Sequence, residues 1–174
     1  SPPQPLFAPD APTRDVEIAL ARRFRSSSAI PVYFNVIYLD FGDRQVLIDA
    51  GAGASLGPAL GRTPANLRAA GIDPATIDDI LISHAHLDHV GGLFTATGGK
   101  VYPNATLHVS ETELTFWRNP DLSGMAAPEA FLENFRATAR NAFAAYADST
   151  RTFRAGDEVI PGVTAIATPG HTPG

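Results

Sequence analysis

The chain has no cysteine, so disulfides and thiolate metal sites are closed to it, and any metal must sit on imidazole and carboxylate. No apolar run approaches the roughly 20 residues that cross a bilayer, so no membrane partner is expected. Charged side chains make up only 18%, with 13 basic against 18 acidic residues and a net charge of -5. No cluster of Lys or Arg offers the footprint that a polyanion needs, which removes nucleic acid as a partner. What is present in quantity is apolar, at 44%, together with 15 glycines and 15 prolines spread between periodic segments. At 174 residues this describes a single domain with a real core, punctuated by loops. Pro2, Pro3, Pro5, Pro9 and Pro12 predict an extended arm over residues 1–15. Ser1-Pro2-Pro3 resembles neither a signal peptide nor a natural start, so the true N-terminus is expected upstream, and the compartment stays open.

After a short helix expected over Val16–Phe24, the β-branched and aromatic run VYFNVIYLDF, residues 32–41, and RQVLIDAG across the Gly42-Asp43 turn predict a hairpin. Its second strand should be buried and end at Asp49. In GRTPANLRAAG, Thr63 is the expected N-cap, Pro64 the first helical residue and Gly71 the stop. Asp73-Pro74 repeats the start signal. DDILIS then reads as a brief strand that delivers the chain into SHAHLDHVGG. Further on, ATLHV predicts a strand, Ser110 with Glu113 a capping box, and Phe131, Phe135, Ala139, Phe143 and Ala147 a long amphipathic helix packed by its aromatics. TFRA and VTAIAT are the last expected strands.

Three of the five histidines fall within residues 84–89. From composition alone, HxHxDH arises by chance in roughly 3 of 10,000 chains of this kind. His84, His86, Asp88 and His89 supply neutral nitrogens and a hard oxygen, the donors that suit zinc and its neighbours. Residues i and i+2 of an extended stretch point the same way, so His84 and His86 can grip one ion. A following helical turn swings Asp88 and His89 toward a second position, at the ~3.5–4 Å spacing of two-metal hydrolytic sites. His171, in the loop TPGHTPG, also follows an expected strand and is read as a third imidazole for the first ion. A histidine in a Gly/Pro loop is ordinarily a surface residue, and only the parallel with the first loop argues otherwise. His108 lies within a strand and is expected to be packed or solvated, with no catalytic role.

LIDAG, HAHLDHVGG and PGHTPG, in that order, resemble the metallo-β-lactamase superfamily of dinuclear metal hydrolases. GAGASLGPALGRTPANLRAAGI and YPNATLHVSETELTFW are most similar to its methyl parathion hydrolase-like branch, near the quorum-quenching lactonases. The resemblance runs from about Ser26 onward and implies an α/β fold, an αββα sandwich with the metals at the edge between two sheets. It implies two divalent ions, zinc first among candidates, with His84, His86 and His171 on one and Asp88 and His89 on the other. Asp88 and Asp49 would be the carboxylates of the catalytic centre, Asp49 steadying ligands by hydrogen bonding. Trp117 and Phe131 match pocket aromatics of that branch, and Leu56 stands where relatives carry another. Such relatives also have a bridging aspartate and a last histidine beyond PGHTPG, and opening strands ahead of Ser1. By that measure the chain is a central part of a longer enzyme, inactive or impaired alone.

The resemblance further implies a hydroxide shared by two metals that attacks a carbonyl carbon or a phosphorus. A small apolar ester, lactone or organophosphate triester is the expected substrate, and a homodimer is left open. Thioester hydrolysis of the glyoxalase II kind and metal binding without turnover are the alternatives.

Overall fold

The computed structural model describes residues 8, 10–57, 59–125 and 127–174, and the chain falls into two units, Ser1–Tyr33 and Phe34–Gly174. In the first, helix α1 spans Thr13–Ala21. It starts earlier than expected because the Pro12 carbonyl accepts the N–H groups of Asp15 and Val16 and opens the first turn. Thr13, Arg14 and Asp15 are therefore helical and not part of an extended arm, while residues 1–7 and 9 of that arm lie outside the described residues. Phe24 falls beyond the helix at φ 55, a left-handed conformation that ends it.

In the second unit, β1 (Ile37–Asp40) and β2 (Gln45–Ile48) form the antiparallel hairpin. Strand β1 is shorter than VYFNVIYLDF predicts. It pairs only as far as its partner runs, and β2 ends at Ile48 because Asp49 turns the chain at φ 62. β3 (Asp79–Leu81), β4 (Thr106–Ser110) and β5 (Thr150–Phe153) follow in parallel, giving the order β1-β2-β3-β4-β5. Between them lie α2 (Thr63–Ala69), the single-turn α3 (Leu87–Val90), α4 (Glu111–Arg118) and α5 (Glu129–Ala145). Thr63 is the first helical residue of α2 and Arg62 its N-cap, one position from expectation. Gly71 at φ +82 stops the chain as expected.

Alternation sorts the sheet's two faces. Leu47, Ile80 and Leu107 are register partners, each fully buried, and they face the helices, which add Leu67, Leu87, Trp117, Leu132, Phe135 and Ala139 to one cluster. Val46 and Leu81 point the other way, onto Ile160 of a second sheet, β6 (Glu158–Ile160) with β7 (Val163–Thr164). Helices, main sheet and second sheet are three of the four layers of an αββα sandwich. Strand β6 was not expected, and VTAIAT is strand only at Val163–Thr164.

On that second face, His108 Nε2 lies 2.6 Å from Asp79 Oδ1, whose Oδ2 accepts from Arg44 at 2.7 Å. Asp79 and His108 are buried, so the carboxylate is what satisfies the imidazole. Asp79→Ala should cost about 1–3 kcal/mol by leaving that nitrogen without its partner. Urea denaturation measures this, and an unchanged midpoint would refute it.

Candidate metal centre

Strand β3 is extended by one rung, Ile82 N–H to His108 O at 2.9 Å, and then releases SHAHLDH at its C-terminal end. His86 is extended (φ -66, ψ 154) and serves as N-cap of α3, so the sequence passes from extended to helical between His86 and Asp88, as the spacing predicts. The turn is clamped against the loop after β2. Ala50 N–H bonds His89 O at 2.8 Å, and Gly92 N–H bonds Gly51 O at 2.8 Å. This approach requires glycine. A Cβ on Gly92 would stand 2.0 Å from Ala50 O, and one on Gly91 2.2 Å from Ala52 O.

Three imidazoles then converge. Donor nitrogens of His84, His86 and His171 lie within 4.8 Å of one another, and the ring centroids are 4.6–4.8 Å apart. His86 Nδ1 and His171 Nε2 approach to 3.0 Å. Nε2 of His84 is buried and has no hydrogen-bond partner among the described residues, an uncompensated polar atom of the kind native structures rarely tolerate. Burial, reinforced by the imidazoles of His89 and His171, pushes His84 down to about 4; burial with His84 and His171 does the same to His86. Both rings are therefore neutral at neutral pH, with lone pairs free. The converging nitrogens of His84, His86 and His171, one of them orphaned, are a donor set that fits a divalent cation.

Asp88 and His89 stand beside this triad. His89 Nδ1 lies 2.7 Å from Asp49 Oδ2 and its Nε2 3.4 Å from Asp88 Oδ2. Burial alone would lower His89, but its hydrogen bonds to Asp49 and Asp88 outweigh that and hold the ring up at about 9. Burial pushes Asp88 upward, and the hydrogen bond and charge of His89 more than reverse it, leaving the carboxyl below its ordinary value. Asp49 is itself buried and accepts from Ser83 twice, N–H to Oδ1 and Oγ–H to Oδ2, each at 2.8 Å. Its positive φ lies in the left-handed region, which aspartate and asparagine tolerate better than most side chains, and these bonds hold it there.

The expected pocket residues are placed unequally. Trp117 is buried and presents its ring edge-on to His86 at 5.6 Å. Phe131 is 36% exposed and meets Phe135 at 5.0 Å, one ring removed from His86. Leu56 packs, partly buried, against the main core. Phe135 lies 5.0 Å from His86 and stacks on Trp117 at 6.3 Å. Its four-residue period predicts core packing, which the buried side chain fulfils, and the same period places it on the face of Phe131. The capping box expected of Ser110 and Glu113 does not form: Ser110 makes no side-chain cap, and the Glu113 carboxylate turns inward to Ala85 and Trp117.

Residues 30–174 match the Metallo-beta-lactamase superfamily. The structure superposes on hydrolase AbOPH in the beta lactamase superfamily with TM-score 0.80 and 33% identity, over 95% of this chain and 58% of that one. On AidC, a dizinc quorum-quenching lactonase solved with N-hexnoyl-L-homoserine, the TM-score is 0.87 at 27% identity, over 97% of this chain and 59% of that one. A probable metal-dependent hydrolase from Staphylococcus aureus, 23% identical, shares the fold at TM-score 0.56 over 73% of this chain and 46% of that one. The chain thus spans less than two thirds of each. No curated protein matches it significantly.

Proposed function

Because the chain belongs to the metallo-beta-lactamase superfamily, we propose that the protein carrying it is a metal-dependent hydrolase of small apolar esters, lactones or organophosphate triesters. The observation that carries this reading is the convergence of His84, His86 and His171 around the unpartnered Nε2 of His84. These three would hold one divalent ion, with zinc our assignment, and Asp88 with His89 would contribute to a second. Bound there, divalent cations supply Lewis acidity and make water a nucleophile near neutral pH.

The protein's own part is positional. Asp49 engages Nδ1 of His89 and leaves Nε2 facing Asp88, which selects Nε2 as the nitrogen that would ligate once a cation displaces its proton. Ser83 fixes Asp49 from both oxygens. The rings of Trp117 and Phe135 against His86 form an apolar wall that keeps water from that side, and Phe131 extends the wall to the surface. Such a wall favours an apolar acyl or aryl group over a polyphosphate. The lactonase neighbour supports lactones within this range.

The test is hydrolysis by the natural polypeptide carrying this chain, loaded with zinc, on a panel of aryl esters, lactones, phosphotriesters and thioesters. Turnover of at least one of the first three, lost on chelation, is the expected result. A preparation with full metal content that cleaves none of them would sink the substrate assignment, and cleavage of thioesters alone would move it to the glyoxalase II kind.

A further inference from the structure

Glu113 is fully buried near the start of α4, yet among the described residues it forms no ion pair. Its partners are N–H groups from three places. Oε1 accepts from Ala85 N at 2.7 Å and from Trp117 Nε1 at 2.7 Å, and Oε2 accepts from Gly174 N at 3.2 Å. Ala85 lies between His84 and His86, and Gly174 three residues past His171. One carboxylate therefore holds both loops that bear the triad, together with the indole that packs on His86.

From this we infer that Glu113 is a positioning residue that clips the two histidine loops at the separation a cation requires, an inference that rests on the metal reading above. Burying a carboxylate is costly unless hydrogen bonds replace its water. Three N–H donors do so here, and bonds to an ionised acceptor are shorter and roughly twice as strong as neutral ones. Gripping Ala85 fixes the peptide between His84 and His86, whose rings converge, because its N–H cannot rotate without losing its acceptor. Glycine at 174 permits the second grip: a Cβ there would stand 2.4 Å from Glu113 N and 2.8 Å from its Cα. Glutamine cannot serve both loops, since a carboxamide offers one acceptor oxygen and turns an N–H₂ toward the other donor.

The test is Glu113→Gln in the natural polypeptide, stripped of metal and titrated with Co²⁺, whose visible absorption reports coordination geometry. The expected result is an affinity about 10–100-fold below that of the parent, the range for partners that orient metal ligands, with an altered spectrum. Co²⁺ affinity and spectrum identical to the parent, whatever the melting temperature does, would overturn the clip alone. A parent that takes up no Co²⁺ would overturn the metal reading and the clip with it. Should Glu113→Gln fail to fold, Gly174→Ala decides, because it pushes only the His171 loop off α4. It should weaken Co²⁺ to a similar degree, and unchanged binding and spectrum would again refute the clip.

Discussion

His86→Ala should abolish both metal retention and hydrolysis while leaving the fold in place. In the proposed site the residue supplies one of three converging nitrogens, and it stands 3.0 Å from His171, so its removal deletes the donor that meets the second loop most closely. A partner that merely orients a ligand is worth about 10–100-fold in metal affinity, and losing a ligand must exceed that. Stability should change little by comparison, because His86 is only half-buried and its backbone role as N-cap of α3 does not depend on the ring, which makes no cap bond. Equilibrium dialysis with elemental analysis reads the metal, and circular dichroism reads the fold. Full metal content in His86→Ala would show the ligand assignment to be wrong. His108→Ala is the contrast, since that ring bonds Asp79 on the other face of the sheet; it should melt earlier and keep its metal.

The difference between these two histidines was visible in the sequence because it is local. His84, His86, Asp88 and His89 are placed by one change from extended to helical backbone, which spacing encodes. His108 sat within a strand pattern, although nothing local names Asp79, 29 residues away, as its partner. The contacts that the sequence does not name are those with distant partners. Glu113 has the spacing of a capping box, and only tertiary packing brings Ala85 close enough for the carboxylate to turn inward. Phe135 has the period of a core residue and is one, but its neighbour His86, a proposed ligand, comes from another loop. Strand boundaries failed for a similar reason. Val32–Val36 has strand composition, but a strand needs a partner, and β2 has already turned away at Asp49. The layered α/β architecture survived these errors because it depends on the alternation that places Leu47, Ile80 and Leu107 on one face and Val46 and Leu81 on the other.

Asp49→Asn should empty the position at Asp88 and His89 while sparing the triad. Asp49 receives three hydrogen bonds, from Ser83 N, Ser83 Oγ and His89 Nδ1, and a carboxylate can accept them all. Asparagine has one acceptor oxygen. In the metal-bound state His89 would carry one proton, on Nδ1; if the asparagine oxygen stays with Ser83 N, its N–H₂ faces that nitrogen, which must then become the acceptor and keep the proton on Nε2, the atom nearest Asp88. A protonated Nε2 cannot ligate. Backbone strain does not confuse the result, because asparagine is among the residues that tolerate the left-handed conformation at φ 62. The substitution thus isolates the choice of nitrogen from the fold of the turn. We expect metal affinity at this position to drop about 10–100-fold, stoichiometry to fall toward one ion, and turnover to fall with it. Nitrogen chemical shifts of the His89 ring report the tautomer directly. A variant that keeps the parent's metal stoichiometry with His89 still protonated on Nδ1 would show that Asp49 holds the turn and not the ligand.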